Sequence, residues 1–328
     1  MNTRPALVRI ALPLLVAAFF GLRVRAQDVG ADTVINDPLP PRVSVRSDLS
    51  YDAHARQKLD LYLPIGRSEK PRPLIIYLHG GGWQKGGKAD GKRFAYRYAQ
   101  RGYAVACVDY RLSTDAIYPA QLEDCKAALR WLRANSERYG LDRDHVGVIG
   151  VSAGGHLAAL VGAMNSSRLY ETGVSMEQPS HVQAVCDFFG PVDLLKLHAD
   201  AMKTGAPQAH EVELLVGGDP KSFPYTSRTA NPALAADSHA AATLIIHGDR
   251  DSVVPLEQSR ILYEALIAKG VTAHLHVIHG AGHTGPAFVA PDINAMVDEF
   301  FRHTLKPLEN PSPLKAATVT ESGAPTGP

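Results

Sequence analysis

Ser152 stands at the centre of the run Gly150-Val151-Ser152-Ala153-Gly154, a G-x-S-x-G spacing. A serine hydroxyl is a poor nucleophile until a base takes its proton, so the run needs a histidine and a carboxylate from elsewhere in the chain. Both types stand in glycine-containing segments. His283 lies in Gly280-Ala281-Gly282-His283-Thr284-Gly285, where the backbone is free to bring the ring against a serine and an acid together. Asp249 and Asp251 lie in His247-Gly248-Asp249-Arg250-Asp251-Ser252-Val253-Val254-Pro255. Either carboxylate can orient a histidine and stabilise its imidazolium. Asp249 also reads as ordinary turn chemistry after Gly248, and at this level the two acids compete.

A fourth segment, His79-Gly80-Gly81-Gly82-Trp83, carries three consecutive glycines. Without side chains, their N–H groups can turn into a cavity. Gly81 and Gly82, with the N–H of Ala153, are candidate oxyanion donors. Such donors meet charge that exists only in the transition state, and losing one typically costs roughly 10²–10³ in rate. His79 reads as a residue that shapes this loop. His274 and His276 alternate within an apolar run and share one face, a structural placement, and His279 closes that run.

Elements that position these residues follow from hydrophobic periodicity. Short β-compatible runs occur at Leu59–Leu63, Leu74–Leu78, Tyr103–Val108, Val146–Ile149, Val182–Phe189, Thr243–Ile246 and Thr272–Ile278. Continuous apolar runs of this length are those of strands covered on both faces. Helical patterns lie between them, at Pro119–Tyr139, Ala153–Ala163, Leu256–Ala268 and Asp292–Thr304. Alternation of this kind predicts an α/β fold with a mostly parallel central sheet and helices on both faces. Active groups of such sheets sit beyond the carboxyl ends of the strands, and all four chemical segments fall there.

With those segments in place, the chain resembles the α/β-hydrolase superfamily, specifically esterases of the hormone-sensitive-lipase-like and acetyl-xylan/feruloyl-esterase-like groups. The resemblance covers roughly 59–304. It rests on His79-Gly80-Gly81-Gly82-Trp83, Asp109-Tyr110-Arg111-Leu112, Pro119-Ala120-Gln121-Leu122-Glu123-Asp124, the serine run with His156-Leu157-Ala158 behind it, and Phe189-Gly190-Pro191. The order serine, acid, histidine is that of these hydrolases. The resemblance implies an acid at Asp251, two residues before Val253-Val254-Pro255, and so a triad of Ser152, Asp251 and His283. The family histidine commonly precedes Gly or a bulky residue; here Thr284 follows, which bears on the pocket wall. Residues 194–237 resemble the small insertion that forms part of the acyl or alcohol pocket. Its pattern is irregular, and its polar content (Lys196, His198, Asp200, Lys203, Glu211, Glu213) argues against a wide apolar lid and a long-chain lipase.

The implied reaction is acyl transfer to water through an acyl-serine, with no metal or organic cofactor. A peptidase or amidase using the same triad, and a non-catalytic binding protein on this fold, are the alternatives. Lys and Arg (34) nearly balance Asp and Glu (33), and no basic stripe points to nucleic acid.

Arg4 and Arg9 precede an apolar run from Ile10 to Leu22, and Val24-Arg25-Ala26 has the small-residue character of a cleavage site. Residues 1–26 are thus expected to be a secretory signal, the run being short of the roughly 20 apolar residues of a membrane span. Export implies a secreted or periplasmic enzyme without stable membrane insertion after cleavage. Cleavage would remove four arginines and no acids, turning the formal charge of +1 into about −3. The catalytic domain is expected over 27–306 and a disordered tail over 307–328, rich in Pro, Ser, Thr, Ala and Gly. Cys107, Cys125 and Cys186 each sit in or beside apolar stretches and read as buried small hydrophobes, one pair of which export would permit to be bridged. Asn165-Ser166-Ser167 fits the N-glycosylation pattern.

Overall fold

The computed structural model describes residues 42–305, apart from 67 and 69, and residues 318–323. The expected signal over 1–26 lies outside the described residues. Among the described residues nine strands, β1 (Val43–Ser50), β2 (Lys58–Pro64), β3 (Arg72–Leu78), β4 (Ala104–Val108), β5 (Leu141–Val151), β6 (Ala184–Phe188), β7 (Ala242–Gly248), β8 (Ala273–His279) and β9 (Thr318–Gly323), form one sheet. Their order is β1-β2-β4-β3-β5-β6-β7-β8-β9. The pairs β1–β2 and β2–β4 are antiparallel, and every other pair is parallel.

The helices are α1 (Lys92–Ala99), α2 (Ala120–Ala134), α3 (Ser136–Tyr139), α4 (Ala153–Ala163), α5 (Leu194–Thr204), α6 (Gln208–Val216), α7 (Pro224–Thr229), α8 (Pro232–Ala235), α9 (Glu257–Ala268) and α10 (Pro291–Leu305). Period-two alternation along the strands divides the core. Leu74, Ile76 and Leu78 of β3 pack with Leu122, Leu129 and Leu132 of α2 and Leu157 and Leu160 of α4. Ile75 and Tyr77 face the other way, among Tyr98 of α1 and Phe300, Phe301 and Leu305 of α10. Phe301 is fully buried, and truncating such a ring to Ala costs roughly 3–5 kcal/mol.

The predicted helix over Pro119–Tyr139 is divided at Asn135 between α2 and α3. Three buried cations on α2, one or two turns apart, hold the loop that follows α4. Lys126 donates to the carbonyls of Ser167 (2.9 Å) and Leu169 (2.8 Å), Arg130 to those of Thr172 and Val174, and Arg133 to those of Pro179 (2.7 Å) and His181 (2.6 Å). Burial pushes the Lys126 ammonium down to about 8.

The structure adds to three readings of the sequence. The tail is not structureless throughout: Thr318–Gly323 pairs in parallel with β8, and the His276 ring bonds Thr320 Oγ1 (2.7 Å) and Ser322 Oγ (2.8 Å). Hydroxyl side chains that read as low complexity serve here to fasten the edge strand β9 to β8. The insertion is not irregular but helical, α5 to α8. Asn165 is committed inside the fold: its amide donates to the carbonyls of Val182 (3.0 Å) and His239 (3.1 Å), and its Oδ1 accepts from the Val182 N–H (2.7 Å). The three cysteines are free and buried.

Candidate active site

Between β5 and α4 the chain reverses at Ser152, whose φ of 54° and ψ of −120° lie outside the regions that non-glycine residues normally occupy. The flanking glycines make the reversal sterically possible. A Cβ on Gly150 would stand 2.0 Å from the Gly154 carbonyl oxygen, and one on Gly154 would stand 2.2 Å from that of Leu78. Both clashes are with backbone, so neither can be relieved by rotating a side chain. The Ser152 N–H donates to the Phe188 carbonyl (2.9 Å), and its own carbonyl accepts from the His156 N–H (3.0 Å).

Ser152, Asp251 and His283 meet. His283 Nδ1 lies 2.6 Å from Asp251 Oδ2, and its Nε2 lies 2.9 Å from Ser152 Oγ. A carboxylate only accepts, so the proton sits on Nδ1, leaving the Nε2 lone pair to accept the serine O–H. Asp251 has further donors: the N–H groups of Val253 (2.8 Å) and Val254 (2.9 Å) bond its Oδ1, and His247 Nε2 lies 3.2 Å from its Oδ2. Burial alone would raise this carboxyl, but the hydrogen bonds from His247, His283 and Val254 outweigh it and hold Asp251 well below the usual carboxylate range. Asp249 goes elsewhere, bonding His279 Nδ1 and the Gly280 N–H at 2.7 Å each. It fastens the histidine loop from outside and does not reach His283.

The glycine loop lies against the serine turn. A Cβ on Gly80 would stand 3.0 Å from the Val151 carbonyl oxygen and 3.5 Å from Ser152 Cβ. His79 supports the loop from below, fully buried, with Nδ1–H donating to the Gly80 carbonyl (2.8 Å) and its ring stacked on Tyr110 at 4.2 Å. Burial lowers its pKa, which keeps the ring neutral. The Tyr110 hydroxyl donates to the His79 carbonyl (2.8 Å). Gly81 and Gly82 follow with φ of 111° and 58°, and Ala153 opens α4, whose first N–H groups have no partner within the helix. Ala153 directly follows the serine, and Gly81 and Gly82 directly follow the Gly80 that lies against it.

Several residues of the site are not assigned a role by the sequence. Phe189 packs its ring 4.7 Å from His283 and 4.6 Å from Phe288, which makes an apolar wall. Its turn is held by Asp187, whose Oδ1 accepts the Gly190 N–H (2.9 Å) and whose carboxyl is raised by complete burial to about 6. His247 was part of a legible segment, but its place is set by tertiary contacts: it is buried, with Nδ1 2.6 Å from Ser259 Oγ and Nε2 2.8 Å from the Val254 carbonyl. α6 lays the Glu211 carboxylate against Gly82, its oxygens 2.7 and 2.8 Å from where a Gly82 Cβ would be.

Comparison with known proteins bears on the family and the fold. The BD-FAE family model matches residues 59–266. The esterase LipC of Mycobacterium tuberculosis is 30% identical over 283 residues, covering 82% of this chain and 68% of LipC. Across the curated relatives it matches, the chain spans between 49% and 68% of their length. Among solved structures, a truncated carbohydrate esterase from gut microbiota superposes with a TM-score of 0.70 at 30% identity, covering 80% of this chain and 96% of that one. An inhibited esterase B of Lactobacillus rhamnosis superposes with a TM-score of 0.68 at 26% identity, covering 83% and 90%. Family match, fold and relatives agree: the chain belongs to the BD-FAE family of hormone-sensitive-lipase-like α/β-hydrolases and is by class a carboxylic ester hydrolase.

Proposed function

We propose that this chain is an exported serine carboxylesterase acting on short-chain or aromatic acyl esters, acetyl or feruloyl groups on plant polysaccharide included. The observation that carries the serine mechanism is the continuous relay from Asp251 through His283 to Ser152, at 2.6 and 2.9 Å. Ser152 Oγ attacks the ester carbonyl while His283 Nε2 takes its proton. Asp251 fixes the ring tautomer and stabilises the imidazolium. The N–H groups of Gly81, Gly82 and Ala153 receive the oxyanion. Collapse of the tetrahedral adduct expels the alcohol, protonated by His283, and leaves an acyl-serine. Water then attacks with His283 as base, the acid departs, and the serine is restored.

Short acyl chains fit the polar insertion, whose α6 places a carboxylate rather than an alkyl wall beside the glycine loop. Export is supported by the basic, apolar and small-residue order of 1–26. Among the described residues no helix is long and apolar enough to cross a membrane. The polysaccharide side of the reading draws on the carbohydrate esterase among the similar structures.

Release of p-nitrophenol from acetate, butyrate and palmitate esters by the mature protein and by Ser152→Ala tests it. Activity on the short esters, weak turnover of palmitate and loss of both in the variant are expected. Inactivity on every ester overturns the mechanism and leaves a binding protein on this fold; equal activity in the variant overturns Ser152 as the nucleophile.

A further inference from the structure

We infer that Glu211 is a specificity-determining residue that selects esters with a hydroxyl-bearing alcohol part and excludes those whose alcohol part is anionic. The inference rests on the esterase reading above and deepens it. Three observations carry it. First, Glu211 reaches out of α6 to the glycine loop, its carboxylate flat against Gly82, one of the proposed oxyanion donors. Second, among the described residues no side chain or N–H donates a hydrogen bond to it, although it is half-buried; its neighbour Glu213, by contrast, is paired with His198 at 2.9 Å. Partial burial raises its carboxyl, against weaker opposing effects from Lys85, His283 and His210. A carboxylate stripped of part of its water and given no donor by its own fold accepts hydrogen bonds readily from a bound molecule.

Third, the glycine loop that Glu211 lies against borders the reacting centre: a Cβ on Gly80 would stand 3.5 Å from Ser152 Cβ, and His283 Nε2 lies 2.9 Å from Ser152 Oγ. The alcohol must leave beside His283, because the imidazolium protonates it. On this inference the alcohol part of the ester is the part that passes Glu211. A neutral hydroxyl there supplies the missing donor without bringing a second charge out of water. A carboxylate there meets like charge in a partly dry site. The aromatic wall of Phe189 and Phe288 has no acceptor side chain to offer, so hydroxyl recognition falls to the acidic side.

Glu211 also lies in the first turn of α6, where an acid complements the helix dipole whatever the substrate. A matched series separates the two roles: propyl acetate, 2,3-dihydroxypropyl acetate and acetoxyacetate share the acetyl group and differ only in the alcohol. The kcat/KM ratios are internal to each preparation, so any loss of folded protein cancels. Glu211→Gln keeps an acceptor and removes the charge; turnover of acetoxyacetate relative to propyl acetate should rise about tenfold. Glu211→Ala removes both; it should also lose about fivefold or more of the preference for the dihydroxypropyl ester, chiefly in KM. Ratios that agree within twofold in wild type and both variants overturn the inference and leave the esterase reading standing. A wild type inactive on all three esters and on p-nitrophenyl acetate overturns the esterase reading itself, and the inference with it.

Discussion

Two carboxylates in the same site are treated in opposite ways by the fold. Asp251 is surrounded by donors: two backbone N–H groups, His247 and His283. Glu211 lies directly against Gly82 and accepts no hydrogen bond from the described residues. The first is kept ionised well below the usual range in spite of burial; the second is raised by partial burial. A carboxylate that must hold an imidazolium through a reaction has to be fixed and charged, and internal hydrogen bonds do both. One that meets a substrate has to keep its acceptor capacity free. Asp187 is a third case, completely buried beneath the aromatic turn with one backbone donor, and is raised to about 6.

The contrast can be broken most severely at Asp251. Asp251→Asn removes the charge and favours the wrong imidazole tautomer, so kcat on p-nitrophenyl acetate should fall by about 10⁴. The same substitution at Asp249, which bonds His279 and Gly280 instead, should leave kcat within about threefold, because its contacts fasten the loop from outside. Equal effects at the two aspartates would contradict the assignment.

Asp187 yields a pH dependence of stability. Its folded pKa of about 6 lies above the unfolded value near 3.8, so the folded state holds the proton more tightly. Stability from this group is fully present below pH 4 and is lost as pH rises through 6. The gap of about two pH units amounts to about 3 kcal/mol. Asp187→Asn keeps an oxygen for the Gly190 N–H and cannot ionise. Urea unfolding at pH 4 and pH 7 should show the variant gaining on the wild type with rising pH, by up to that amount. A constant difference would mean that Asp187 is already ionised in the fold at low pH.

A smaller effect is expected at His247, which touches Asp251 but no reacting atom. It acts as a positioning residue. His247→Gln should lower kcat about tenfold with KM little changed and shift the acidic limb of the pH–rate profile, whereas a purely structural role would leave that limb in place.

Much of this site is visible in the residue order because its chemistry demands special backbone. Ser152 needs a glycine two positions away on each side, and the reason is now geometric: backbone oxygens lie 2.0 and 2.2 Å from where the side chains would begin. His283 and Asp251 follow strands because parallel sheets present their loops there. The middle strands were legible as unbroken apolar runs. The edges were not. β1 reads Val-Ser-Val-Arg-Ser-Asp-Leu-Ser and β9 reads Thr-Val-Thr-Glu-Ser-Gly, and edge strands need few apolar residues. α6 was concealed by its brevity, although Ala209, Val212 and Leu215 do recur on one buried face. Choosing between Asp249 and Asp251 needed the family resemblance, since both are acids after one strand. Glu211 was noticed only as polar content, because nothing local says that its helix will lean on a glycine more than a hundred positions earlier.

The central claim is that Ser152 is the nucleophile toward esters. Its most direct test is intact-mass and peptide-mapping analysis after treatment with a p-nitrophenyl alkylphosphonate, which traps an activated serine as a stable adduct. The account predicts one phosphonyl group per chain, located on Ser152, with activity lost in proportion and no adduct on Ser152→Ala. An adduct at another residue, or full esterase activity in a protein whose Ser152 is quantitatively blocked, would contradict it.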